Sequence, residues 1–165
     1  NTMLQPAPPP GRSMSLGAQY GLERVGPTGK ITQLVSLNNI WHVCHSPKQG
    51  LVNRFSIFPD TDSKTNTFEY DLYNGTIKNA YEGAESNGIR AVPVYMQGHG
   101  PQAGSKGAYQ LKPGSPGHDA AKRIPNINDG FFGKKPDIGA DETGSELMQF
   151  GVDAYCDEKP SERSR

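Results

Sequence analysis

The stretch AYQLKPGSPGHDAAKRIPNINDGFFGKKPDIGADE, Ala108 to Glu142, decides how the rest of the chain is read. Proline and glycine recur throughout it, so neither a helix nor an ordinary paired strand can run far. Yet apolar Leu111 and Ile138 and acidic Asp119, Asp137 and Glu142 are spaced among them like parts of an ordered piece. A flexible tail, a binding loop and the closing segment of a larger fold all fit this composition. The sequence upstream chooses among them.

A chain of 165 residues fits one domain. With 33% hydrophobic residues, 20 glycines and 14 prolines, it disfavours a helical bundle and favours loop-rich β structure. Seventeen basic and seventeen acidic side chains cancel, and the basic doublets Lys122-Arg123 and Lys134-Lys135 stand alone. No nucleic-acid partner and no anionic membrane surface is therefore expected. No apolar run nears the roughly 20 residues of a membrane span. Asn1-Thr2-Met3-Leu4 does not read as a signal peptide, and the missing start Met suggests processing or a fragment. Cys44 and Cys156 form no CxxC pair, and their distance in sequence leaves open whether they bond. Asn74-Gly75-Thr76 is a glycosylation sequon, of consequence only in a secreted protein.

Strands are expected at residues 1–4, 30–45, 53–59, 67–75 and, shortened by Pro93, 88–96. The Pro-Pro-Pro run opens a long excursion, residues 5–29, with a short helical turn near Leu16 to Leu22. Residues 97–107 form a second loop, and 156–165 read as a disordered, charged tail. Short strands without intervening helices leave a sandwich or a solenoid of stacked coils. Asn1-Thr2-Met3-Leu4, Asn38-Asn39-Ile40-Trp41 and Tyr70-Asp71-Leu72-Tyr73 each set Asn or Asp beside apolar strand residues. Coils stacked about 4.8 Å apart let such side chains satisfy one another in ladders, which a sandwich does not explain.

Leu111, Pro113, Gly114, Ser115, Pro116 and Asp119, followed by Pro136, Asp137, Ile138, Gly139, Ala140 and Glu142, resemble the C-terminal closing segment of secreted right-handed parallel β-helix proteins of the pectate-lyase-like class. There an L-x-PGSPAID-x-G strand is followed by PDIGAYE. Gly117-His118, Ala121 and Asp141 depart from that pattern. The resemblance implies an all-β, right-handed parallel β-helix: residues 1–107 as its last coils, 108–155 as the closing segment, and further coils upstream or on a partner chain. Ile138 is then expected to plug the apolar end of the last coil. NTML, SLNNIWHV and FEYDLYNG look like strands of such coils.

The same resemblance implies a secreted or cell-surface protein whose partner is polysaccharide, bound or cleaved with lyase-like chemistry. In such lyases a Lys or Arg base removes the proton α to a uronate carboxyl while calcium stabilises the enolate. Asp60, Asp62 and Asp71 are the candidate calcium ligands here, with Arg90 or Lys64 as basic groups. Trp41, Tyr70, Tyr73, Tyr81 and Tyr95 are candidates for stacking on sugar rings. His42 and His45 flank Cys44, but a strand puts residues three apart on opposite faces, against a shared zinc. Asn126, Asn128 and Asp129 offer closely spaced oxygens without EF-hand spacing. The alternative function is a non-catalytic extracellular β-helix that assembles with itself or another chain.

Overall fold

The computed structural model describes residues 1–5, 24–25, 29–30, 33, 35–44, 55–57, 65–77, 82–102 and 107–149. Among them are ten short strands and no helix: β1 (Thr2–Gln5), β2 (Arg24–Val25), β3 (Gly29–Lys30), β4 (Val35–Leu37), β5 (Ile40–Val43), β6 (Phe55–Ile57), β7 (Thr67–Glu69), β8 (Leu72–Tyr73), β9 (Thr76–Ile77) and β10 (Ile89–Arg90). Four of them form one parallel sheet in the order β1-β5-β8-β10. Two further parallel pairs are β4 with β7 and β6 with β9, while β2 and β3 form an antiparallel ribbon within the long excursion. The helical turn expected near Leu16 to Leu22 and the charged tail from Cys156 lie outside the described residues.

The registers agree with one another. Ser36 lies beside Phe68, Ile40 beside Leu72, and Trp41 beside Tyr73. The run β4–β5–β6 is thus laid strand for strand on β7–β8–β9, with the chain making a circuit between them, as parallel neighbours require. Where the sequence suggests continuous strands over 30–45 and 67–75, each is broken by one residue in left-handed backbone. These are Asn38 (φ 59°) and Tyr70 (φ 58°), side by side at the same corner. Such a residue turns the chain from one sheet into the next. Asn tolerates this conformation, and a tyrosine rarely adopts it.

Side chains alternate across a strand. Ile40, Leu72 and Ile89 therefore share one face of the main sheet, and Trp41, Tyr73 and Arg90 the other. The Trp41 face looks toward β4 and β7, since Ser36 and Trp41 both bond Asp71. Leu111, Ala121 and Ile138 pack on the opposite face, against Ile40 and Leu72, with Ile89, Ala91, Tyr95 and Ala120 at the margin. Residues 108–142 are consequently a strap laid across a sheet face. The expectation that Ile138 closes the open end of the stack is corrected: the outward apolar row Ile40–Leu72–Ile89 needs cover, and the strap supplies it.

A strap without strands must satisfy its backbone by other means. Carboxylates do this. Asp119 accepts from the amides of Lys134 and Lys135, Asp137 from those of Asp119 and Thr143, and Glu142 from those of Phe132 and Asp137. Asp141, where the resemblance expects an aromatic, accepts from the Tyr109 amide. The Asn38 side chain pairs with Lys122 as a second peptide would, donating to its carbonyl and accepting from its amide at 2.8 Å each. Beyond β10 the chain runs antiparallel to the strap's start, bridging Tyr95 to Leu111.

Gly117 has φ 92°, and a Cβ there would lie 2.9 Å from Leu72 Cδ2. Gly114 has φ 81° but open space around it. Gly114→Ala is expected to cost about 1 kcal/mol from backbone strain alone, and Gly117→Ala a further ~1–3 kcal/mol from overpacking. Urea unfolding midpoints of the two variants measure the difference.

Candidate functional site

Asn1, Asn39 and Asp71 occupy successive rungs of the main sheet, one residue before Thr2, Ile40 and Leu72. They form a polar ladder: Asn1 Nδ2 donates to Asn39 Oδ1 (3.3 Å), and Asn39 Nδ2 to Asp71 Oδ1 (3.3 Å). Asp71 is wholly buried. Its Oδ1 also accepts from the Asn39 amide at 2.7 Å. Its Oδ2 accepts from Ser36 Oγ at 2.8 Å and from Trp41 Nε1 at 2.9 Å. Four donors thus converge on one carboxylate, each bond strengthened by its charge.

Glu85 meets this group from the next turn. Its Oε2 accepts from the Asp71 amide at 3.1 Å, its own amide donates to the Phe68 carbonyl, and its Oε1 is buried with no partner. Burial pushes both carboxyls up; the Asp71 charge adds to this for Glu85, which rises to about 9. Tyr73 stands beside the pair, its hydroxyl raised by burial and by Glu85. Arg90 adjoins Tyr73 in register, is exposed, and donates from Nε to the Gly75 carbonyl. Glu69 faces outward, where it accepts from the amides and side chains of Ser86 and Asn87, bonds that hold it below the usual range.

The structure divides the residues singled out from the sequence. Trp41 is 1% exposed, with its indole N–H engaged by Asp71, so it offers no ring face to a sugar. Asp71 has its oxygens filled by the chain and is closed as a calcium ligand. Asp60 and Asp62, together with Lys64, His45 and Tyr81, lie outside the described residues. Tyr73 and Arg90 are brought together and remain reachable from solvent. Tyr70 stands apart at the corner, with Lys122 Nζ 5.4 Å from its ring centre. Tyr95 is drawn into the protein against His42, whose Nδ1 shares a 3.2 Å hydrogen bond with its hydroxyl. Burial lowers His42 to about 4, leaving it neutral at physiological pH. Asn126, Asn128 and Asp129 staple their own turn: Asp129 takes Arg123 and the Asn126 amide, and Asn128 takes the Ile124 amide.

Ser36, Asn39 and Glu85 complete the network and were not singled out as site residues by sequence reasoning. Asn39 carried a signal, an amide inside an apolar run. Ser36 and Glu85 carried none, because their places depend on which rung lies beside which. The sequon residue Asn74 is also buried, its amide bonded both ways to Val43. No protein-family model, curated protein or solved structure matches the chain.

Asp71→Ala takes the acceptor from the buried Ser36 hydroxyl, Asn39 backbone amide and Trp41 indole, while the Asn39 side chain keeps Ser36 Oγ and the Leu37 carbonyl. It is expected to destabilise the protein by at least ~3 kcal/mol, read from the denaturant midpoint. Added calcium or chelator is expected to leave the wild-type midpoint unchanged as far as Asp71 is concerned. A calcium-dependent shift that Asp71→Asn abolishes would show Asp71 to be a ligand after all.

Proposed function

We propose that this chain is the C-terminal part of a secreted right-handed parallel β-helix protein that handles polysaccharide, with any lyase-like centre carried by other coils. The observation behind the reading is the in-register parallel laying of β4–β5–β6 on β7–β8–β9, turned at matched corners. Strands that repeat in this order suit a solenoid, in which each circuit buries the edge of the last. Asp71 and Glu69 are occupied by the chain's own donors and Glu85 is buried, which favours contact with a polymer over its cleavage here. Arg90 and Tyr73 suit such contact, as a cation for uronate carboxylates beside a ring for sugar faces. Calcium, if the whole protein uses it, belongs with ligands other than Asp71.

A second reading, a structural β-helix that assembles with other chains, is favoured by Val92, Val94 and Met96. These alternate along one extended segment and are all exposed.

Affinity electrophoresis through gels containing acidic polysaccharides tests the first reading. Wild-type protein is expected to be retarded, and Arg90→Ala to lose about threefold to tenfold of that affinity. Absorbance of an unsaturated uronate is not expected to appear with this chain alone. No retardation by any acidic or neutral polymer, together with concentration-dependent self-association, would favour the structural reading instead.

A further inference from the structure

The Asp71–Glu85 pair does something that neither polymer binding nor the fold itself requires. Two carboxyls meet in the interior; the Asn1 ammonium, at the far end of the ladder, interacts with Asp71 and not with Glu85. Asp71 is also raised by burial, but its four donors oppose that rise. Glu85 has one donor on Oε2 and none on Oε1. The proton therefore resides on Glu85. The groups around it do not relieve it: Asp71 between β7 and β8, Glu69 at the end of β7 and Tyr73 on β8 are acidic, and Arg90 on β10 is exposed and turned to the Gly75 carbonyl.

The segment that carries Glu85 lies at the edge of the main sheet. Glu85 itself sits in left-handed backbone, φ 54°, unfavourable for a side chain of its size. Beyond its own bonds, residues 82–91 are joined to the stack by the Glu69 clamp on Ser86 and Asn87, by the pairing of β10 with β8 and the flanking bonds of Ile89 to Asp71 and Ala91 to Tyr73, by Arg90 to the Gly75 carbonyl, and by the partly buried Ile89 and Ala91 on the core. β10 is only two residues long and pairs on one side with β8.

We propose that Glu85 is a proton-dependent latch: protonated, it seats the 82–91 segment on the last rung, and on losing its proton it carries that segment off the stack into solvent. Expelling a second buried carboxylate is the driving force, since water solvates it and the interior does not. The direction follows from linkage. Glu85 holds its proton in the folded protein up to about 9 but ionises near 4.5 when unfolded. The folded form thus carries the extra proton through that window, and the latch weakens as pH rises across it.

Trp41, the single tryptophan, reports on the pair through its bond to Asp71. Its fluorescence should change reversibly between about pH 7.5 and 10, and the change should be absent in Glu85→Gln, which keeps the shape without the titration. Both proteins are compared in a Tyr73→Phe background, because Glu85 itself raises the Tyr73 hydroxyl and the ionisation of this neighbour of Trp41 would otherwise differ between them. Hydrogen–deuterium exchange, corrected for intrinsic rates, locates the event: amides of 85–91 should lose about tenfold in protection per pH unit between about pH 5 and 9 in wild type and level off above that, and β5 should not. The same transition in Glu85→Gln, or wild-type protection of 85–91 unchanged to pH 10, overturns the latch. Should Glu85→Gln fold poorly, Glu85→Asp serves: with its shorter reach to the Asp71 amide, it should open at lower pH.

Discussion

The fold depends on one carboxylate. Asp71 draws a hydroxyl from β4, an amide and a carboxamide from the corner, and an indole from β5 onto two oxygens. Those donors come from one circuit of the chain and the acceptor from the next. The same group therefore fixes the register between circuits and the angle between two sheets. Hydrophobic burial supplies the larger energy but is tolerant of slippage; a network of directed bonds in a dry interior is not. An interior so rich in polar groups also accounts for the modest hydrophobic content, since much of what fills the space between the sheets is hydrogen-bonded rather than oily.

That arrangement governs what could be read from sequence. Asn39 and Asp71 were visible as polar residues set in apolar runs, and the ladder they form is the physical reason they sit there. The absence of any helical period left a sandwich or a solenoid, and the recurring Asn and Asp favoured parallel stacking; among the described residues the main sheet is parallel and no helix occurs. The corners were not visible: Asn38 could be taken for a strand interruption, and nothing marks Tyr70 as left-handed, because its conformation is set by stacking on Asn38 rather than by its own preference. The alternation of Phe68, Tyr70 and Leu72 suggested one face of one strand. In fact Phe68 and Leu72 belong to different sheets. Trp41 illustrates the general limit for candidate sites: its ring chemistry was legible, while its burial depended on an acceptor thirty residues away.

The strap shows a second kind of encoding. Its prolines and glycines prevent it from becoming another rung, and its carboxylates take the place of a neighbouring strand by accepting the amides left free. Leu111, Ala121 and Ile138 then present a thin apolar surface to a sheet face that would otherwise meet water. The surface the strap covers is set by the outward row Ile40, Leu72 and Ile89, which only the register reveals.

The strap also imposes an order on synthesis. Ile40, Leu72 and Ile89 leave the ribosome well before Ile138, and at ordinary elongation rates the delay from Ile89 to Ile138 is roughly 2–10 s. For those seconds a nascent chain can stack its rungs yet still display an oily flank. The bond from the Gly139 amide to the Asn38 carbonyl can form only once the strap has been made. A ribosome stalled in the strap would thus release a half-dressed sheet. Until Leu111, Ala121 and Ile138 arrive, that flank lacks the cover they give it in the folded protein.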